Sequence, residues 1–411
     1  MSEQVAAPTG RTLTVGIPVF NGRALLRSCL ESVVASTLPH DRFEVLLADD
    51  GSSEPETLAI LDETTRRFAG EPGFLRVISL EVNSGGAARP RNRILDEATG
   101  AYVFFVDSDD TIGDQALERI ADALEERPAD WVGLNQVLVN GRGSGTVIRH
   151  PRAEVPRSRA LSTLTVHKVF RRDEIERQGL RFDEGLPSGQ DIAFSFAFIV
   201  NASRFLMLGG YDYYFLTHHG GNPDEPVHLS RRTSTADGLI EKYHRILTSM
   251  LDALHRSPLE EEEQRRIAHE IALPRVLVWE RYLVAISNAR PRSAHDAMRR
   301  LAELLDDPLV RTIDLTEPRK GLTAEHLAAV RAGDLTTLQR LVRGVDPAPR
   351  ATVALVERWS TRARRAADLV RGMVGHRQLV TELDVLRRSV QELQAAQSRL
   401  EAELQALRLR R

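Results

Sequence analysis

The stretch Tyr102–Asp110, YVFFVDSDD, sets five apolar or aromatic residues directly before three carboxylates within four positions. The apolar run reads as a strand covered on both faces. Like charges this close repel one another, so the acids call for a cationic partner.

Working outward from this stretch, apolar runs alternate with helical patterns. TLTVGIPV (Thr12–Val19), FEVLLA (Phe43–Ala48) and FLRVISL (Phe74–Leu80) read as strands, and YVFFV as a fourth. Between and after them, GRALLRSCLESVVAS, PETLAILDETTRRFA, Ala87–Ala98 and GDQALERIADALEER carry helical spacing. Pro90 fits a first helical turn, where its missing N–H costs little. The expected fold class is α/β, with a mostly parallel mixed sheet and helices on both faces. Ligands of such sheets bind beyond the carboxyl ends of the strands. PVFNG (Pro18–Gly22), DDGSS (Asp49–Ser53), NSGGAARPRN and DSDD each follow a strand, so all four polar loops fall on one rim.

Composition narrows the class. The 411 residues carry 55 Lys+Arg against 58 Asp+Glu, a net charge of −3 that argues against a generally basic nucleic-acid binder. One cysteine, Cys29, excludes an intrachain disulfide and most cysteine-based metal sites. Its place in ALLRSCLESVV predicts a buried packing role. The start, MSEQVAAPTGR, lacks a basic segment followed by an apolar core, and no stretch reaches the roughly 20 apolar residues of a membrane span. The expected location is cytoplasmic, with peripheral contact at the inner face of the cell membrane.

Residues 231–345 read as a helical subdomain, from ADGLIEKYHRILTSMLDALHR, EEEQRRIAHEIALPRVLVWERYLVAI and AHDAMRRLAELL. This gives three expected regions: 1–230 catalytic, 231–345 helical and 346–411 for assembly. Past DPAPR, the segment 350–377 is basic and amphipathic, with seven Arg against Glu357 and Asp368. It reads as a solvated helix face or as one lying on an anionic membrane. Leu379, Leu386, Leu393, Leu400 and Leu407 then recur every seven residues, with Leu383, Val390 and Leu404 in the alternate seam and Gln397 as its polar member. This heptad predicts a coiled coil that makes a homo-oligomer. Glu382 with Arg387, and Glu403 with Arg408, suit pairing between parallel helices.

Three carboxylates beside hydroxyls, without cysteine ligands, favour a hard divalent cation, Mn2+ or Mg2+. A diphosphate leaving group is its natural partner, because the ion neutralises charge developing there. The competing reading makes Asp110 the cap of a helix starting near Gly113, which accounts for one acid of the three. DDGSS alone also reads as a turn. NSGGAARPRN offers backbone N–H groups and Arg89, Arg91 and Arg93 to phosphates or a carboxylate, without the G-K-[ST] ending of an ATP-binding loop.

Together, TVGIPVFNG, LLADDGSS, NSGGAARPRNRILDEATGAYVFFVDSDD and PSGQDIAFSFAF resemble the successive signatures of the inverting family 2 glycosyltransferases of GT-A fold. The later HKVFRRDEIERQGLRFDEGLPSGQDIAF and YDYYFLTHHGG are similar to bacterial wall teichoic-acid glycosyltransferases. The resemblance covers about residues 12–222. It implies a GT-A nucleotide-sugar-binding domain, in which Pro18, Phe20, Asn21, Asp50, Asn83 and Arg91 surround the uridine of a UDP-sugar donor. Asp107 and Ser108 would sit by the ribose, Asp109 and Asp110 would serve the metal and diphosphate, and His219 of the pair His218–His219 would be a third metal ligand. Asp191 falls on the family's catalytic base. Phe20 stands where relatives often have Tyr, and Gln190 precedes Asp191 where relatives commonly have Glu. Lys168 in VHKVFRR would contact acceptor or diphosphate, or be an exposed Lys at a strand end.

The implied reaction is a hexosyl transfer. Asp191 takes a proton as an acceptor hydroxyl attacks the anomeric carbon, and a single displacement inverts the configuration. The implied acceptor is a polymeric or lipid-linked glycan of the cell envelope, such as a polyol phosphate. Two rivals predict different products: a sugar-1-phosphate nucleotidyltransferase would release pyrophosphate, and a non-catalytic coiled-coil scaffold would release nothing.

Overall fold

The protein is described here from a computed structural model covering residues 10–139, 148, 150–217, 235–277, 281–312 and 322–344. The amino-terminal half alternates β1 (Leu13–Val19), α1 (Arg23–Val34), β2 (Phe43–Asp49), α2 (Pro55–Arg67), β3 (Leu75–Ser79), α3 (Ala88–Glu97) and β4 (Tyr102–Phe105). There follow β5 (Thr111–Ile112), α4 (Ala116–Glu126), β6 (Trp131–Leu134), β7 (Gln136–Val139), β8 (Arg152–Glu154), α5 (Arg157–Leu161), β9 (Val169–Arg171) and α6 (Arg172–Arg177). Then come α7 (Gln190–Asn201), β10 (Phe205–Leu208) and β11 (Tyr214–Thr217). The main sheet has the order β3-β2-β1-β4-β9-β6-β10-β8, and a smaller one the order β5-β11-β7. In the main sheet β9 runs against both β4 and β6, and β8 against β10; the remaining strands are parallel.

Largely apolar runs of four to seven residues make β1, β2, β4, β6 and β10, which are buried throughout because both sheet faces are covered there. Along β2, Val45 and Leu47 enter one core with Leu26, Cys29 and Leu30 of α1 and Ile60 of α2. Leu46 and Ala48 enter the opposite core with Ile94 of α3 and the helices that follow the sheet. Phe104 and Phe105 divide the same way, so a period-two alternation lies hidden inside a uniformly apolar run. Cys29 is fully buried, as its pattern predicts.

The helices after the sheet are α8 (Ala236–Arg256), α9 (Glu261–Ile267), α10 (Leu273–Val276), α11 (Tyr282–Asn288), α12 (Pro291–Leu305), α13 (Ala324–Ala332) and α14 (Leu335–Gly344). The single helical pattern read from Glu261 to Ile286 is interrupted by a π-helical turn at Ala268–Ala272. Pro274 lacks the N–H that would bond the carbonyl of Glu270, and the wider turn before it accommodates the missing donor. None of the described helices is long and apolar enough to cross a membrane. The described residues up to Val342 form one compact unit. The expected boundary at residue 230, the basic segment and the heptads lie outside the described residues.

At the rim opposite the polar loops, Glu44 is completely buried. It accepts hydrogen bonds from Thr14 Oγ1 (2.7 Å), Thr99 N (2.6 Å) and Thr99 Oγ1 (2.8 Å), and Arg76 Nη2 lies 3.3 Å away. Burial alone would raise its pKa; the bonds from Thr99 and Thr14, with Arg76, outweigh burial and hold the carboxyl below its ordinary 4.5. This one side chain therefore ties β1, β2, β3 and the loop after α3 together. Glu44→Gln is expected to lose about 2–4 kcal/mol of stability at pH 7 in urea unfolding. Because the folded-state carboxyl is the stronger acid, its contribution is complete above the ordinary value and fades as pH falls through the folded one. The gap between wild type and variant should therefore narrow below about pH 4.5.

Candidate active site

β4 delivers the acid loop to the carboxyl rim. Asp107 Oδ1 accepts from Arg91 Nη2 of α3 at 2.6 Å, and its Oδ2 lies 2.8 Å from His167 Nε2. The Asp107 N–H donates to the Tyr214 hydroxyl at 3.0 Å. Burial would raise the Asp107 pKa, but Arg91 and His167 reverse this and hold the carboxyl well below the usual carboxylate range. Asp110 is fully buried, accepting from Tyr214 Oη at 2.9 Å and from Thr217 N at 2.7 Å. Burial, and then the neighbouring charge of Asp109, push it up to about 7. The His167 ring stacks on Tyr214 with centroids 4.8 Å apart, and its Nδ1 is buried without a hydrogen-bond partner.

One ligand atom each from Asp107, Asp110 and His167 lie within 4.8 Å of one another. Two carboxylates and an imidazole are a donor set suited to a first-row divalent cation. The residues fit such an ion on two grounds: burial and like charge drive Asp110 towards protonation, which a cation would oppose, and an imidazole nitrogen stands unsatisfied.

A second group lies at the ends of β1 and β2. Asp50 is buried, and its Oδ2 accepts from Asn83 Nδ2 (3.1 Å), Ser84 N (2.9 Å) and Ser84 Oγ (2.8 Å). Its Oδ1 is buried with no partner. Gly51 holds φ at +73°, and a Cβ there would stand 2.9 Å from Asn83 N, so only glycine lets the loop carrying Asn83 close over Asp50. Phe20 is exposed beyond the end of β1, and Pro18 is buried within that strand. Asn21 turns its Oδ1 to the N–H groups of Ser53 and Glu54, shaping the entry to α2.

Asp191 stands in the first turn of α7, after Gly189 at φ +86°. A Cβ on Gly189 would sit 2.8 Å from Ile246 and 3.1 Å from Lys242, both on α8, so glycine is also the residue that lets α8 close on this loop. Arg245 of α8 pairs with both oxygens of Asp183 at 3.0 and 2.6 Å. Phe194 of α7 stacks on Phe182 (4.0 Å, 10°), which meets Phe105 of β4 edge-on at 5.4 Å. The helix carrying Asp191 is thus packed against the strand that carries Asp107.

Two of the alternatives raised by the sequence are overturned. Asp110 caps no helix: α4 begins at Ala116 behind Gln115, and both Asp110 oxygens are used by β11. Lys168 is not an exposed lysine at a strand end but fully buried, its Nζ 2.9 Å from Thr165 Oγ1. Burial pushes its ammonium down to about 7, partly offset by Asp191. Asp109 and Ser108 are half-buried beside Asp107 and Asp110, while His218 and His219 lie outside the described residues. His167 and Tyr214 were not singled out from the sequence. VHKVFRR contains the first, but its role appears only once β9 inserts antiparallel beside β4.

Comparison with known proteins finds relatives of this part of the chain. The family described as glycosyl transferase family 2 matches residues 14–180. A poly(ribitol-phosphate) β-glucosyltransferase of Bacillus spizizenii is 29% identical over 258 residues, covering 62% of this chain and 38% of its own. The poly(ribitol-phosphate) β-N-acetylglucosaminyltransferase TarS of Staphylococcus aureus is 30% identical over 260 residues, covering 62% of this chain and 43% of its own. The chain thus spans less than half the length of these two relatives. The crystal structure of S. aureus TarS 1-349 in complex with UDP-GlcNAc superposes with a TM-score of 0.66 at 25% identity, covering 81% of this chain and 90% of that one. The sheet order, the acid loop after β4 and these matches agree: residues 14–180 are similar to glycosyl transferase family 2, and the fold is GT-A-like.

Proposed function

We propose that the chain transfers a sugar from a UDP-sugar to a hydroxyl of a polyol-phosphate-like cell-envelope polymer, with inversion at the anomeric carbon. The observation that carries the proposal is the Asp107–Asp110–His167 cluster with Arg91 at the end of β4. The activities of the relatives, and the UDP-GlcNAc bound by TarS, support the donor and acceptor classes.

In this reading the free Oδ1 of Asp50 accepts the imide N–H of uracil, its Oδ2 being already committed to Asn83 and Ser84. Phe20 supplies a ring face to the base, with Pro18, Asn21 and Asn83 framing it. Arg91 and Asp107 orient the ribose and diphosphate side, beside Ser108. A divalent cation, Mn2+ or Mg2+, held by Asp107, Asp110 and His167, with Asp109 and His219 as further ligands, would supply positive charge to the departing diphosphate. Asp191 accepts the proton of the acceptor hydroxyl as its oxygen bonds to the anomeric carbon; the carbon–oxygen bond to UDP breaks and its electron pair leaves with UDP. The catalytic region is 1–230, with 231–345 as a helical subdomain. The heptads of 346–411 assemble copies of the chain, and the basic segment before them meets the inner membrane face.

Asp191→Asn should lower the rate of sugar transfer by about 10²–10⁴-fold while UDP affinity stays within about twofold. Unchanged turnover would remove Asp191 from the role of base. Asp50→Asn replaces a lone acceptor with a group that can donate. UDP affinity should fall about tenfold, and the preference for UDP over CDP should narrow in competition binding. An unchanged preference would place the base elsewhere.

A further inference from the structure

The loop between β1 and α1 holds a backbone that its residues do not favour. Asn21 and Arg23 have φ of +50° and +48°, and among the described residues no other non-glycine residue has a positive φ. Asparagine visits this region readily, because its short side chain bonds locally; arginine does not. A residue of that kind stays there only where its surroundings over-determine it.

The surroundings here are the loop after β2 and the start of α2. Arg23 Nε and Nη2 donate to the two carboxylate oxygens of Glu54, at 2.7 and 2.5 Å. The Arg23 backbone N–H donates to Oγ1 of the buried Thr57 at 3.0 Å. Asn21 N donates to Ser52 Oγ at 2.9 Å, and Asp50 N donates to the Val19 carbonyl at 2.8 Å. Hydrogen bonds from Arg23 hold the Glu54 carboxyl below its ordinary 4.5, so the pair is charged at neutral pH. The loop that carries Phe20 is thereby stitched to the loop that carries Asp50.

We propose that Arg23 is a positioning residue for the donor: its fork onto Glu54 holds the strained turn closed and so keeps Phe20 and Asp50 in the arrangement that receives the uracil ring. The inference rests on the reading in which Phe20 and Asp50 meet the base. Phe20 is exposed, so the turn rather than core packing sets where its ring stands. Without the fork the turn relaxes towards negative φ, and the apparent affinity for UDP falls in proportion to the fraction of molecules still closed. Both partners are partly exposed, and such a pair contributes little to global stability. The effect therefore falls on binding rather than on unfolding.

Glycine separates the strain from the side chain. It adopts a φ near +50° unaided, whereas alanine keeps the strain and loses the fork. UDP is titrated with Mn2+ into wild type, Arg23→Ala, Arg23→Gly, Glu54→Ala and the double variant Arg23→Gly/Glu54→Ala, with folding checked by thermal unfolding. Amide hydrogen exchange of residues 18–24 is followed without nucleotide. Arg23→Ala and Glu54→Ala should weaken UDP binding about tenfold and speed exchange across the turn. Arg23→Gly should stay within about threefold of wild type in both, and Glu54→Ala should add little in that background. With a UDP-sugar that is turned over, KM should follow UDP affinity while kcat stays within about twofold. Equal losses in Arg23→Ala and Arg23→Gly would make Arg23 a direct ligand and overturn the proposal, as would UDP binding unmoved in folded Arg23→Ala. Exchange that responds as stated in a chain whose wild type binds no UDP would leave the strained turn and its fork standing and overturn the reading of the donor site.

Discussion

The Asp107 carboxylate, gripped by Arg91 on one oxygen and His167 on the other, is the contact on which the rim depends. It joins three elements: α3, the loop after β4 and, 60 residues further along the chain, the residues before β9. A carboxylate placed there without those partners would be driven towards protonation by burial; with them it stays charged. Asp110 shows the contrary outcome a few residues on, where burial and Asp109 dominate and the carboxyl rises to about 7. The opposed environments of these two nearby acids arise from which strand ends lie beside which loops.

The surrounding packing keeps that contact in place. Phe182 and Phe194 stack, Phe105 closes on them edge-on, and the Arg91 guanidinium lies over the Phe182 ring at 5.6 Å. The same aromatic group thus supports the arginine that holds Asp107 and the helix that carries Asp191. A shift in this core would move both ends of the site together. Gly51 and Gly189 allow the two remaining approaches, of the Asn83 loop to Asp50 and of α8 to the Asp191 loop.

Much of this was legible in the residues themselves. Uniformly apolar strands followed by polar loops were enough to place Asp50, Asn83, Arg91, Asp107 and Asp110 on one rim, because a parallel sheet puts every strand end on the same side. The reading of Asp191 as a base rests on family resemblance alone, since nothing in its local spacing separates a base from an ordinary acid in a first helical turn. His167, Tyr214 and the burial of Lys168 were not legible. They depend on a short strand, Val169–Arg171, entering the sheet antiparallel between β4 and β6, and three residues carry too little pattern to reveal their neighbours. The break within 261–286 was partly announced by Pro274, but the amphipathic spacing on either side concealed it.

The central claim is that the acids after β4 are built around a divalent cation and a nucleoside diphosphate together. Calorimetric titration of UDP into the full chain, with Mn2+ and again with excess EDTA, tests it most directly. The account predicts binding that weakens by at least about tenfold when the cation is removed, and a matching gain in Mn2+ affinity when UDP is present, since the coupling is reciprocal. Equal UDP affinity in Mn2+ and in EDTA would contradict it.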